Sequence, residues 1–209
     1  MPAFLNRLRN RLRSTLAPVP DIPAELWLET LRRHPFLAAL GLPQQAKLRA
    51  LSALFLDGKQ FHGAHGLVVT DAMAVAIASQ ACLPILRLGT VAQALRWYDD
   101  FVGIVVHPDE VLAHRSEVDD NGVVHDYEER LTGEAMADGP VTLSWHDVWQ
   151  SGSSAVQGYN VVIHEFIHKI DMRDGAADGC PPLPSARARR EWLAVLQTEY
   201  DAFREKVII

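Results

Sequence analysis

The chain is 209 residues long and 48% hydrophobic, enough for one substantial core. Its 20 basic and 26 acidic residues leave a net charge of −6, which argues against a nucleic-acid-binding surface. No apolar run reaches the length of a membrane span. The two cysteines, Cys82 and Cys180, follow no metal spacing and read as reduced thiols of a cytoplasmic protein.

Residues 1–20 read as a basic amphipathic arm. Arg7, Arg9, Arg11 and Arg13 stand there without an apolar signal core, so the segment is not a secretory signal. Leu5, Leu8, Leu12 and Leu16 make a helical stripe. It reads as a terminal helix packed on the domain or a frayed arm, with contact to an anionic membrane surface as the alternative. Residues 21–209 read as a single domain of the α+β class. Its first part is helical: 23–40 and 43–56 carry apolar residues at helical spacing, and Gly41-Leu42-Pro43 separates them. Short strands are predicted at 59–61 and 67–69, around Gly63 and Gly66. An alanine-rich buried helix is predicted at 71–86, with Thr70 as its N-cap. Further strands are predicted at 103–107, ended by Pro108, and at 123–127 and 140–145. Loops are predicted at 151–158 and 175–184, on either side of one more helix.

That helix carries His164-Glu165-Phe166-Ile167-His168. Residues four apart lie on one helical face, so both imidazoles point the same way, as two nitrogen ligands of one zinc ion must. Glu165 is placed to take a proton from water at the metal. Val161, Ile163, Phe166, Ile167 and Ile170 give the motif an apolar frame that reads as buried. His164 and His168 are therefore the candidate metal ligands, Glu165 the candidate catalytic base and Zn²⁺ the expected cofactor. The strand at 141–145 is the candidate edge for pairing with an extended peptide over the metal. His146, just after it, is then a candidate to steady an oxyanion. His62 and His65, in Phe61-His62-Gly63-Ala64-His65-Gly66, read as a surface turn.

A catalytic zinc takes three protein ligands and keeps a fourth position open. The third is not evident. Asp171 reads as a carboxylate orienting a ligand imidazole, and Asp174 as part of a turn. Glu191 and Glu199 lie on a second amphipathic helix, 186–207, whose stripe is Trp192, Val195, Leu196, Phe203 and Val207. Either glutamate could reach the metal, or both could be solvated. No His-x-x-Gly-x-x-His extension follows the motif, which argues against the metzincin arrangement. The last helix runs into Val207-Ile208-Ile209 with no cap or polar tail. The sequence is therefore expected to lack a C-terminal portion, and the third ligand with it.

Gly158-Tyr159-Asn160-Val161-Val162-Ile163-His164-Glu165-Phe166-Ile167-His168-Lys169-Ile170-Asp171 resembles the core motif of the MtfA (Mlc titration factor A) family of bacterial zinc metallopeptidases. So do Gln80-Ala81-Cys82-Leu83-Pro84, Trp97-Tyr98-Asp99 and Gly139-Pro140-Val141-Thr142-Leu143-Ser144-Trp145. The resemblance runs from about residue 22 to the end. It implies a zincin-like fold, with the motif helix beside a small mixed sheet. It implies cytoplasmic peptidase activity of aminopeptidase type on peptide substrates. It also implies binding of a glucose-responsive transcriptional repressor of sugar uptake. His164 and His168 match the family's zinc ligands and Glu165 its base. The family's third ligand, a glutamate well downstream, has no counterpart before Ile209. The alternative function is a binding module that sequesters a regulator and carries a vestigial zinc site.

Overall fold

The computed structural model describes residues 21–118, 124–137, 139–175 and 177–207. The arm expected at 1–20 lies outside the described residues. The helix expected over 23–40 is two: α1, Ala24–Arg33, and the single turn α2, Pro35–Ala38. Pro35 is the reason. The residue before a proline is pushed out of the helical region, and His34 sits at φ −120° and ψ 81°. Helix α3, Leu42–Gly58, starts with Pro43 in its first turn, where a missing N–H costs nothing. The Gln44 side chain accepts a hydrogen bond from the Gly41 N–H (3.2 Å).

Strand β1, Gln60–Gly63, follows. Residues 67–69 do not form the strand predicted for them. The chain turns at His65 (φ 51°) and Gly66 (φ 79°), and the Leu67 N–H bonds back to the Ala64 carbonyl at 3.0 Å. A Cβ on Gly63 would lie 1.8 Å from the Leu67 carbonyl oxygen, so only glycine permits this fold-back. Helix α4, Asp71–Ala81, is buried along nearly its whole length, and Thr70 caps it by accepting from the Met73 N–H (3.2 Å). It stops five residues short of the predicted end, ahead of Pro84. The short helix α5, Val91–Leu95, leads to strand β2, Gly103–His107.

Strand β3, Val111–Val118, and strand β4, Val124–Leu131, form a separate antiparallel hairpin. From residue 124 on, the strand expected at 123–127 is part of β4, and residue 123 lies outside the described residues. Then come β5, Gly133–Ala135, which the sequence pattern does not reveal, and β6, Val141–Ser144. The main sheet is small and mixed, in the order β1-β2-β6-β5. The first two pairings are parallel and β5 runs antiparallel to β6. Helix α6, Trp145–Ser154, begins where β6 ends and occupies the first half of the predicted loop at 151–158. It gives way to a turn closed by Gly158 at φ 83°. Helices α7, Val161–Asp171, and α8, Ala186–Val207, complete the chain.

Phe55, Tyr98, Phe101 and Phe166 form an aromatic centre, with Phe166 5.2–5.9 Å ring to ring from the other three. Around them pack Ile77, Ala78, Ile104, Val106, Leu143, Val162 and Ile170, all buried. Phe166, Val162 and Ile170 come from α7, so the helix is seated by the core of the molecule.

Candidate active site

Asn160 begins α7: its Oδ1 accepts from the Ile163 N–H at 2.9 Å. From there the helical period sorts the motif. Val161, Val162, Phe166 and Ile170 turn inward, and His164 and Ile167 turn outward with His168 half-buried beside them. Ile167, read from the sequence as buried, is 47% exposed because it shares the face of the two histidines. The imidazoles meet on that face. Nε2 of His164 and Nε2 of His168 are 3.2 Å apart, and the rings stand nearly perpendicular (86°). Burial, then the neighbouring His168, hold the His164 pKa below its ordinary value, which favours the neutral, ligating form.

Glu165 points elsewhere. It is buried, and β5 lies directly against it. A Cβ on Gly133 would stand 2.7 Å from its Cγ. Burial pushes the carboxyl up to about 7, an Ala135 backbone hydrogen bond pulls it down, and Glu134 adds to the rise. A carboxyl poised there suits proton transfer at neutral pH.

The edge beside the motif is β5, not the expected 141–145. β6 is paired on both sides, with β2 and with β5, and has no free edge. The Thr132 carbonyl accepts from the Ser144 N–H (2.7 Å) and the Met136 N–H donates to the Pro140 carbonyl (3.5 Å). Alternation then turns the backbone groups of Gly133 and Ala135 to the outer edge. Thr142 and Leu143 suggested the edge because β-branched and apolar runs mark strands. Gly133-Glu134-Ala135 carries no such signal. His146 accordingly sits off the edge, in α6, where its Nε2 pairs with the Gln150 amide at 2.7 Å.

The other sequence candidates disperse. Asp171 takes the Gly179 N–H on its Oδ2 (2.9 Å), holding the loop after the helix rather than an imidazole, and its buried Oδ1 has no hydrogen-bond partner among the described residues. Asp174 ends a turn closed by Gly175. Glu191 is exposed and pairs with Arg187 at 2.7 Å, and Glu199 is exposed. Among the described residues, no three His, Cys, Asp or Glu side chains are grouped to hold a metal ion. The His65 and His107 rings meet at 5.3 Å, tilted by 56°, on the far side of the sheet order from β5.

Two residues near the motif escaped the sequence reading. Lys169 is fully buried and paired with Asp100 at 2.8 Å. Its position, four residues after Glu165 and between Phe166 and Ile170, was the available signal: helical spacing points it inward.

A family described as glucose-regulated metallo-peptidase M90 matches residues 6–208. Mlc titration factor A of Edwardsiella ictaluri (strain 93-146) is 38% identical over 173 residues, 82% of this chain and 63% of the relative. Mlc titration factor A of Yersinia pestis (strain Pestoides F) is 34% identical over 158 residues, 75% of this chain and 56% of the relative. The chain thus spans about six-tenths of the length of these curated relatives.

Proposed function

Because this chain belongs to the glucose-regulated metallo-peptidase M90 family, we propose that it is a zinc-dependent peptidase with His164 and His168 as metal ligands and Glu165 as its proton acceptor. The observation that carries the reading is the pairing of two imidazole nitrogens 3.2 Å apart with a buried carboxylate between them in the chain. That donor set suits a borderline-soft divalent ion such as zinc. When bound, zinc supplies an acidified water and polarises a scissile carbonyl.

The chain's own residues do the rest. Glu165 receives the proton of the attacking water and returns it to the leaving amine. Its raised pKa lets it do both near neutrality. The outer edge of β5 at Gly133 pairs with the backbone of an extended peptide and lays it across the histidine face. A zincin-like fold is part of this proposal. Aminopeptidase selectivity, cytoplasmic location and binding of a glucose-responsive repressor are the further parts of the proposal. They rest on the family and on the relatives' name, Mlc titration factor A. No helix among the described residues is long and apolar enough to cross a membrane.

Glu165→Gln separates catalysis from binding. It should leave zinc content and fold intact and lower hydrolysis of amino-acid and short-peptide chromogenic amides by about 10² to 10⁴. Repressor affinity should be unchanged. Retained hydrolysis would remove Glu165 from the mechanism. A wild-type chain that binds repressor, fails to cleave and is indifferent to Glu165→Gln would support the alternative, a sequestering module with a vestigial site.

A further inference from the structure

Helix α7 and strand β5 are joined at three levels. At the start, the Thr132 hydroxyl and the Tyr159 phenol are 2.6 Å apart, just ahead of each element. In the middle, Glu165 lies against Gly133 and is hydrogen-bonded to the Ala135 backbone. At the end stands Lys169, whose side chain is 0% exposed. An ammonium has three N–H donors, and all three find partners: Asp100 Oδ2 at 2.8 Å and the Met136 and Ala137 carbonyls at 2.9 Å each. Asp100 is also held by Arg173, from the turn after α7, at 3.3 Å.

Two of those three acceptors are the carbonyls that immediately follow β5. Burying an ammonium is costly, and an apolar side chain of similar size would stabilise such a position at least as well in many proteins. What an apolar side chain could not do is grip backbone carbonyls. Without Lys169, β5 would keep its antiparallel pairing with β6 and the Ala135–Glu165 hydrogen bond, but the Met136 and Ala137 carbonyls just past it would lose their tie to the helix that carries the histidines.

We propose that Lys169 is a positioning residue: through the Met136 and Ala137 carbonyls it sets the height of the β5 edge over the histidine face, and so the docking of the peptide backbone. Asp100 acts with it by fixing the ammonium. The inference rests on the reading of β5 as the peptide-binding edge, and the test keeps the two apart.

The full chain loaded with zinc is compared with Lys169→Met, Lys169→Arg and Asp100→Asn. Amide hydrogen exchange is followed at Ala135, and kcat and KM are measured on a short-peptide chromogenic amide. In Lys169→Met the Ala135 amide should exchange about tenfold faster or more, with zinc content unchanged. KM should rise by about tenfold to a hundredfold, as for a misplaced binding element, and kcat should change less. Lys169→Arg should recover part of the loss. A role in stability alone would lower Tm and leave both the Ala135 exchange and the KM of the folded protein unmoved; that result overturns the inference. If Lys169→Met does not fold, Asp100→Asn decides by the same measurements. If the wild-type chain cleaves nothing, the peptidase reading fails, and the Ala135 exchange in Asp100→Asn still decides whether the clamp exists.

Discussion

A methyl group at position 133 would stand 2.7 Å from Cγ of Glu165, 2.9 Å from its Oε1 and 2.9 Å from Cγ2 of Val161. Backbone and carboxylate can approach this closely only because residue 133 has no side chain. The closeness has an electrostatic effect. The strand removes water from Glu165 and lifts its pKa to about 7, while the Ala135 backbone keeps the ionised form within reach. Gly133→Ala should therefore push either the strand or the carboxylate aside. Zinc binding through the histidines should persist, because the nearest atoms to a methyl group at 133 belong to Glu165 and Val161 and not to an imidazole. Hydrolysis should fall by about a hundredfold, the usual cost of a displacement near 1 Å. Measuring zinc stoichiometry and rate on one preparation checks this, and an unchanged rate would mean that Glu165 does not need the gap. At this scale the sequence spoke clearly about His164, Glu165 and His168, because spacing along one helix is local. It was silent about Gly133, whose partner is 32 residues away in the chain.

Among the elements, α7 depends on a buried hydrogen-bond chain that no local pattern predicts. The Asn160 amide, besides capping the helix, donates to Gln80 Oε1 at 2.7 Å. The Gln80 amide lies 3.2 Å from His34 Nε2, and His34 Nδ1 lies 2.9 Å from the Thr30 carbonyl. A carbonyl can only accept, so Nδ1 carries the proton and Nε2 accepts from Gln80. His34 is thus neutral, as its burial also favours. The chain ties α1 and α4 to the first turn of the motif helix. Asn160→Ala removes the cap, worth about 1 kcal/mol, and also leaves buried Gln80 without its donor, at about 1–3 kcal/mol. The variant should therefore lose about 2–4 kcal/mol. A double-mutant cycle with Gln80→Ala should show coupling of about 0.5 kcal/mol or more. Additive losses would disprove the link. The elements that the sequence misjudged share this long-range character. Pro35 was visible but was not used to end α1. β5 was missed because three residues of weak strand propensity are held by β6 and Lys169, and β6 was assigned the edge because nothing local says which strand lies outermost.

For the molecule as a whole, the sequence was right about a mixed helical and sheet architecture, because apolar periodicity is set by burial, and the motif helix lies beside a small sheet as the family resemblance implied. It was also right that α8 is amphipathic. It could not say what that stripe meets: Trp192, Val195, Leu196 and Phe203 are 41–64% exposed among the described residues. The N-terminal half of α8 is tied down by the Trp192 indole N–H to the Gly179 carbonyl (2.9 Å) and by Arg189 to Asp178 (2.9 Å). The loop they grip is held in turn by Asp171 at the end of the motif helix. Whatever orders α7 therefore acts on the elements around it as well. A ligand that binds only the folded state stabilises the whole fold by mass action, by about 2.7 kcal/mol at a hundred times its Kd. For a domain of this size that is a Tm rise of roughly 5–11 °C. Zinc should produce that rise in the metal-free chain, and a chelator should reverse it. His164→Ala or His168→Ala should abolish it, whereas Glu165→Gln should keep it, because Glu165 faces β5 and not the imidazole pair. A zinc-dependent shift that survives His164→Ala would place the metal elsewhere in the molecule and remove the histidine pair from the proposed chemistry.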